Sequence, residues 1–263
     1  MTPEPALPGG AAPAVGSIDV PRGGVLHLWL CRAPHDVPAV ATATLRGWLD
    51  AEEQTRLDRL RRTEDQRGFL QAHAFLRCVL AAYGRVRPGD CRFAREVGGR
   101  PVLVAPALGP LELSLAHTSG LVACLVSGAG VCGVDAEALD ATRSLSALRA
   151  GALTPAEQAG MAVTASGTPP ERFFDLWTVK EAYLKARGLG LQVPLTWITV
   201  ELGPRGPRLA SLDPALGDDP CAWQVRLVPV GSPHRLAVVA QSREPVEVVV
   251  RTAPPPRWPL PPA

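Results

Sequence analysis

The chain has 263 residues, of which 46% are hydrophobic and 20% are charged, and its formal net charge is +2. This composition is typical of a globular protein with a sizeable core, and it excludes a largely disordered chain. The nearly balanced charge neither indicates nor excludes a nucleic-acid partner, because a local basic patch could still exist.

Both ends of the chain are rich in proline and glycine, which predicts poorly ordered tails at 1–24 and 244–263. The chain does not open with a charged region followed by an apolar run, and it contains no stretch of about 18 apolar residues. We therefore predict neither a signal peptide nor a membrane span, and we expect a cytoplasmic protein.

The six cysteines form no C-x-x-C pair, and several lie in apolar surroundings. This pattern predicts small buried hydrophobic side chains rather than a disulfide framework or a zinc site. The cysteines concerned are Cys31, Cys78, Cys91, Cys124, Cys132 and Cys221.

The first half of the chain predicts a strand, two helices and then several short strands. An apolar segment at 24–33 predicts the first strand, and leucines at helical spacing predict helices at 43–60 and 66–84. Residues 111–139 then predict a strand, a turn, and a hairpin that turns at 128–130.

The second half predicts helices followed by strands. A helix at 145–153 precedes Thr154 and Pro155, which are typical of a helix cap and a first helical turn. A longer amphipathic helix follows from Phe173 and ends at the glycines of 187–191. The strands that complete this half are predicted at 198–202, 223–230 and 234–242.

The two halves share a coarse order of helices followed by antiparallel strands. We therefore predict an α+β fold with two similar subdomains, at 25–130 and 131–243.

Two carboxylates, Asp135 and Glu137, stand two residues apart on a strand that is otherwise apolar or small. Both point to one face of the strand, where their mutual repulsion raises their pKa values unless a cation intervenes. Two carboxylates suit a hard divalent ion such as Mg²⁺. The alternative is an edge strand with an acidic face toward solvent.

Three further charged residues have both structural and chemical explanations. Glu181 and Lys185 have the i, i+4 spacing of an ordinary helical ion pair, although Trp177 lies close to the same side as Glu181. Glu157 lies in the first turn of a helix, where an acid is favourable without any catalytic role.

Two loops contain donors that suit an anion. In GGRP (98–101), glycines allow a close backbone approach and Arg100 offers bidentate contacts to phosphate. His117 is followed by Thr118 and Ser119 at a turn, which gives three donors in one place. Neither loop is specific by itself.

Taken in order, these segments resemble the 4′-phosphopantetheinyl transferases of the surfactin-synthetase-activating type. The resemblance spans about residues 26–242 and depends most on a G-(V/I)-D-x-E strand and a W-(S/T)-x-K-E-(A/S)-x-x-K helix. The segments that carry it are GGRP, LSLAHTSG, GVDAE, TPAE and FFDLWTVKEAYLKARGLGL.

The resemblance implies transfer of 4′-phosphopantetheine from coenzyme A to a serine of an acyl or peptidyl carrier protein, which leaves adenosine 3′,5′-bisphosphate. It also implies a monomer whose two α+β halves form a pseudo-dimer, with no nucleic-acid or membrane partner. By position, Asp135, Glu137 and Glu181 match acids that hold Mg²⁺, and Lys185 matches a lysine at the diphosphate.

The resemblance also implies further contacts with coenzyme A. The positions concerned are Gly99, Arg100, Pro101, His117, Thr118, Lys180 and Lys185. Glu157 matches an acid near the metal site. The chain departs from the family at Arg100, where lysine is common, and at Ala116, where a hydroxyl is lost. It also has Gly68 where a basic helix usually carries arginine, which leaves the neighbouring Arg67 or the more distant Arg77 to meet the 3′-phosphate.

Phosphoryl transfer depends on positioning and on neutralisation of charge. Our hypothesis is that Glu181 accepts the proton of the attacking serine while Lys185 stabilises the diphosphate, with Glu157 as the alternative base. A decayed carrier-binding module would have lost the metal acids, and a two-acid phosphate-ester hydrolase would need further histidine or aspartate ligands.

Overall fold

A computed structural model of the chain describes residues 18–33, 39–84, 86–95, 99–128, 130–139, 145–161 and 168–252. The elements of the first half are β1 (Val25–Arg32), α1 (Ala39–Trp48), α2 (Ala51–Arg59), α3 (Thr63–Tyr83), β2 (Arg92–Arg95), β3 (Pro101–Ala105), β4 (Glu112–Thr118) and β5 (Leu121–Ser127). Those of the second half are β6 (Cys132–Ala138), α4 (Leu145–Ala152), α5 (Pro155–Gly160), α6 (Pro169–Arg187), β7 (Ile198–Gly203), β8 (Gly206–Leu212), β9 (Trp223–Leu227), β10 (His234–Gln241) and β11 (Glu247–Thr252).

Two main sheets form the framework, with strand orders β11-β1-β5-β4 and β6-β10-β9. In each half, a first strand is followed by helices, a two-stranded sheet and a hairpin, and the last hairpin strand pairs with the first strand. The predicted α+β class is confirmed, and the repeated order agrees with the predicted likeness of the halves. The boundaries at 25–130 and 131–243 stay predictions.

Helix α6 packs across β6 and β10 and forms the centre of the hydrophobic core of the second half. Phe173 and Leu184 are fully buried there, and Trp177 packs against the same cluster. Gly188 ends the helix in the left-handed conformation with φ of 62°, which agrees with the predicted stop. In the first half, α3 packs against β4 and β5 and covers the other sheet.

The predicted C-terminal tail at 244–263 is wrong in part. Residues Glu247–Thr252 form β11, which pairs in parallel with β1 at the edge of the first sheet. The run of valines at 248–250 favours a strand because β-branched side chains suit a pleated surface. Residues 253–263 of this predicted tail lie outside the described residues, as do residues 1–17 of the predicted N-terminal tail. Ile18, in contrast, packs against the hydrophobic core between α3 and the first sheet.

Three local predictions also change. The predicted hairpin that turns at 128–130 is wrong, because β5 pairs with β1 and β4 while β6 pairs with β10. The single helix predicted at 43–60 is two helices. Asp50 and Glu53 form a reciprocal capping box that starts α2. Strand β8 was not predicted.

All six cysteines are free. Five of them are buried or half-buried, as predicted, but Cys221 is exposed. Among the described residues, no helix is long and apolar enough to cross a membrane.

Candidate active site

The two main sheets meet along a seam between their edge strands β4 and β6. The backbone N–H of Val134 donates to the Ser114 hydroxyl at 3.0 Å, and that of Ala138 donates to the Thr118 hydroxyl at 3.0 Å. Side-chain hydroxyls of β4 therefore bond to β6 where a continuous sheet would use backbone carbonyls. The hydroxyl of Thr118, a predicted coenzyme A contact, is therefore already hydrogen-bonded to β6.

Helix α6 lies very close to β6 because Gly133 has no side chain. A Cβ atom at Gly133 would stand 2.0 Å from the carbonyl oxygen of Ala182 and 2.7 Å from the backbone nitrogen of Ala186. This contact brings the stretch of α6 that carries Glu181 and Lys185 onto the strand that carries Asp135.

Lys185 joins the helix to both sides of the seam. Its ammonium donates to Asp135 Oδ1 at 2.7 Å and to the carbonyl oxygen of Leu115 on β4 at 3.4 Å. The structure therefore brings together Lys185 and Asp135, which the sequence places fifty residues apart.

Two carboxylate oxygens at this point are buried without a hydrogen-bond partner among the described residues, Asp135 Oδ2 and Glu181 Oε1. The pKa of Glu181 is raised to about 7, first by burial and then by the negative charge of Asp135. Lys185 opposes this rise, and Glu137 adds a smaller increase. Glu137 is half-buried on β6, opposite Arg235 of β10. The charges of the other two predicted metal acids, Asp135 and Glu137, therefore both act on Glu181.

Within the described part of the chain, no group of three or more histidine, cysteine, aspartate or glutamate side chains has the arrangement of a metal site. The donors themselves fit a hard cation, since carboxylate oxygens are its preferred ligands and two of them are buried without a partner. Asp135, Glu137 and Glu181 stay predictions as metal ligands.

Lys180 and Glu157 form a separate, fully buried ion pair. The Lys180 ammonium donates to Glu157 Oε2 and to Ala152 O, both at 2.6 Å, and to Leu195 O at 3.1 Å. Burial lowers the pKa of Lys180, and Glu157 opposes that change.

Glu157 is equally occupied, because its carboxylate also accepts from the backbone N–H groups of Thr154 and Val200, both at 2.8 Å. The pair links α5, α6 and β7. This placement gives no support to Glu157 as a base or to Lys180 as a coenzyme A contact, and both roles stay predictions.

His117 lies at the end of β4 against α3. A Cβ atom at Gly68 would stand 3.0 Å from its Nδ1, so the imidazole packs on the helix where that residue leaves room. His117 is exposed, but the protein against the ring displaces water and Lys185 adds positive charge, and both effects lower the pKa of the imidazole. His117 therefore shares the surroundings of Lys185.

Arg100 lies near the other end of β4, where its guanidinium pairs with Glu112 at 2.6 Å. Gly99 precedes it with φ of 86°, and Arg95 donates to the Gly99 carbonyl at 3.1 Å. Pro101 begins β3. Glu112 and His117 are about 17 Å apart along an extended strand, so the structure does not bring these two predicted contacts together.

Of the two arginines considered for the 3′-phosphate, Arg77 is fully buried. Its guanidinium binds Glu53 through two bonds of 2.5 and 3.1 Å, so it is not accessible to a ligand. Arg67 is half-buried on α3, next to Gly68. Ser114 and Gly133 were not predicted from the sequence; a hydroxyl between the apolar residues Leu113 and Leu115 was the available signal for Ser114.

Comparison with known proteins gives a consistent result. The model of the 4′-phosphopantetheinyl transferase superfamily matches residues 131–239, which include β6 and α6. The 4′-phosphopantetheinyl transferase HetI of Nostoc sp. is 32% identical over 213 residues, covering 78% of this chain and 89% of that protein. A 4′-phosphopantetheinyl transferase of Bacillus subtilis is 26% identical over 193 residues, covering 73% of this chain and 82% of that protein.

A solved structure, the holo-[acyl-carrier-protein] synthase of Thermotoga maritima, aligns with a TM-score of 0.35 and 18% identity over 43% of this chain and 64% of that one. The family model thus matches the segment that contains β6 and α6, and the relative from Nostoc matches most of the chain. Together they show that the chain belongs to the 4′-phosphopantetheinyl transferase superfamily.

Proposed function

We propose that this chain transfers the 4′-phosphopantetheine group of coenzyme A to a serine hydroxyl of an apo acyl or peptidyl carrier protein, with adenosine 3′,5′-bisphosphate as the second product. The family acts on carrier proteins and uses coenzyme A as a substrate. The observation that carries the proposal is the meeting of Asp135, Glu181 and Lys185 at the seam between the two sheets.

We further propose that Mg²⁺ is held by Asp135, Glu137 and Glu181. Support comes from the two buried oxygens without partners, since leaving a carboxylate oxygen buried and unbonded is unfavourable unless a ligand satisfies it. When bound, the ion supplies positive charge that offsets the charge developing on the diphosphate.

The protein side chains provide the remaining chemistry. The Lys185 side chain is one-third exposed and its ammonium lies against Asp135, which supports a role in binding a diphosphate oxygen at the seam. Glu181 accepts the proton that the serine hydroxyl loses as its oxygen attacks phosphorus, and the bond from that phosphorus to the bisphosphate breaks. The effect of the Lys185 charge on the His117 imidazole supports contact of both side chains with the same coenzyme A molecule.

Mass spectrometry tests this function directly. The chain is incubated with coenzyme A, Mg²⁺ and an apo carrier protein, and a mass gain of about 340 Da on the carrier corresponds to the transferred group. A carrier whose acceptor serine is replaced by alanine is the matched control and is expected to gain nothing. Absence of transfer to fatty-acid, polyketide and peptide carriers alike would refute the proposal.

A further inference from the structure

The position of the turn between β4 and β5 depends on contacts from the second sheet. This turn directly follows His117 and Thr118, and across the seam β4 is bonded to β6 through hydroxyl groups. Whatever fixes the turn therefore fixes the two predicted coenzyme A contacts beside it.

His234, the first residue of β10, reaches this turn from the second sheet. Its side chain is buried, at 4% exposure, and its Nε2 lies 2.7 Å from the carbonyl oxygen of Ser119. A Cβ atom at Gly120 would stand 3.6 Å from the same nitrogen, so the ring packs directly on the turn.

Arg32 of β1, like the Ser119 carbonyl, requires the proton of this ring to be on Nε2. Its guanidinium lies 3.2 Å from His234 Nδ1 and also donates to the Val230 carbonyl at 3.3 Å. A guanidinium only donates, so Nδ1 must accept. The proton of the neutral ring is therefore on Nε2, where it is donated to Ser119.

We propose that His234 is a positioning residue for coenzyme A binding. Its imidazole, held in one tautomer and one orientation by Arg32 and the Ser119 carbonyl, fixes the β4–β5 turn and through it the place of His117 at the seam. This proposal rests on the proposed function, because it takes His117 to contact coenzyme A.

Two substitutions separate the two bonds of the ring. In His234→Gln the side-chain amide reaches the Nε2 position and can still donate to Ser119. In His234→Asn the shorter side chain reaches only the Nδ1 position and loses that bond. We expect His234→Asn to raise the KM for coenzyme A by about tenfold, the change that corresponds to one buried hydrogen bond, with kcat much less affected. His234→Gln is expected to stay within about twofold of the wild type.

Tyr83→Phe is the control for general destabilisation. It removes a hydroxyl that lies 2.7 Å from Trp29 Nε1 and 2.9 Å from His27 Nδ1, in the interior of the first half. We expect it to lower the unfolding temperature without changing the KM for coenzyme A. Equal KM values for the Asn and Gln variants, or a rise in KM in Tyr83→Phe that matches its loss of stability, would overturn the proposal.

Should His234→Asn fail to fold, Arg32→Met replaces it. Without the guanidinium the ring loses its contact at Nδ1 and is held less firmly against the turn, so we again expect a higher KM for coenzyme A; an unchanged KM would refute the proposal. If the wild type transfers nothing to any carrier, the proposed function fails and this inference fails with it. If the wild type transfers and His234→Asn behaves like it, this inference alone fails.

Discussion

Adjacent residues of α6 have entirely different surroundings. Lys180 points into the interior and has three hydrogen-bond acceptors, whereas Glu181 lies at the seam with one oxygen that has no partner in the described structure. Successive residues on a helix are rotated by about 100°, so neighbours in sequence face different sides. The KE pair of the family motif therefore combines a structural residue with a candidate for the chemistry.

This difference predicts separate outcomes for the two acids considered as the base. We expect Glu181→Gln to lower kcat by about a hundredfold or more, the usual effect of removing a positioned base. Glu157→Gln is expected to keep most of its kcat but to lose about 3 kcal/mol of stability, because Lys180 is left buried without a charged partner. Turnover with an apo carrier and unfolding by urea measure the two effects. Near-normal turnover of Glu181→Gln at saturating Mg²⁺ would contradict the assignment.

His27 predicts a dependence of stability on pH. Burial, with a smaller contribution from Arg251, lowers the pKa of its imidazole from 6.5 to about 4. The unfolded chain therefore binds a proton at higher pH than the folded one, and this contribution to stability is present above about pH 6.5 and is lost as the pH falls toward 4. His27→Gln has no such proton to bind.

We expect the free energy of unfolding of the wild type to fall by about 2 to 3 kcal/mol relative to His27→Gln between about pH 7.5 and about pH 4.5. Urea denaturation of both proteins across this range measures the difference. A difference that stays constant with pH would show that His27 binds its proton equally well in the folded and unfolded states.

At the scale of elements, the site depends on the close packing of α6 on β6. A side chain at position 133 would meet the Ala182 carbonyl. Because Gly133 has none, α6 lies closer to β6 than any other residue would allow. This approach, rather than the helix sequence alone, places Lys185 within 2.7 Å of Asp135.

We predict that Gly133→Ala loses about 1 to 3 kcal/mol of stability, since the added methyl group forces the helix away from the strand. It should also weaken the binding of Mn²⁺, a probe for the proposed metal site, because Glu181 moves relative to Asp135. Gly151→Ala on α4 is the control: a Cβ there meets nothing within 4 Å, and we expect no loss of stability. Chemical denaturation and titration calorimetry report the two quantities, and identical behaviour of the two variants would contradict this account.

Local signals predicted much of these elements. Thr154, Pro155 and Glu157 predicted the start of α5, and the glycines after Arg187 predicted the end of α6, because caps and stops are encoded within a few residues. The pairing of strands was predicted less well, since β5 and β6 are neighbours in the sequence but join different sheets. The acids of the site were found through an ordered set of motifs, whereas the partners of Lys180 and His234 lie far away in the chain and no local pattern encodes them.

At the scale of the whole molecule, the two similar halves are also joined by their last described strand. β11 follows the second sheet in the sequence but pairs with β1 in the first sheet. The seam that holds the candidate site therefore borders a sheet whose edge strand is supplied from beyond the second sheet in the sequence.

We predict that a chain ending before Glu247 loses stability and aggregates, because the edge of β1 is then left with unpaired backbone groups. A chain ending after Thr252 keeps β11 and is the matched control. Thermal unfolding and light scattering at increasing protein concentration distinguish the two. Equal stability and solubility of both truncations would show that β11 contributes little.

The return of β11 to β1 also has a consequence for protein synthesis. The ribosome delivers β1 before the rest of the first half, and β11 only after the entire second half has been made. The nascent first half can fold its helices and pair β1 with β5, but the outer edge of β1 stays open throughout translation. Completion of the first sheet must therefore wait for synthesis of the second, and a nascent chain that stalls in between presents an uncovered strand to its neighbours on the polysome.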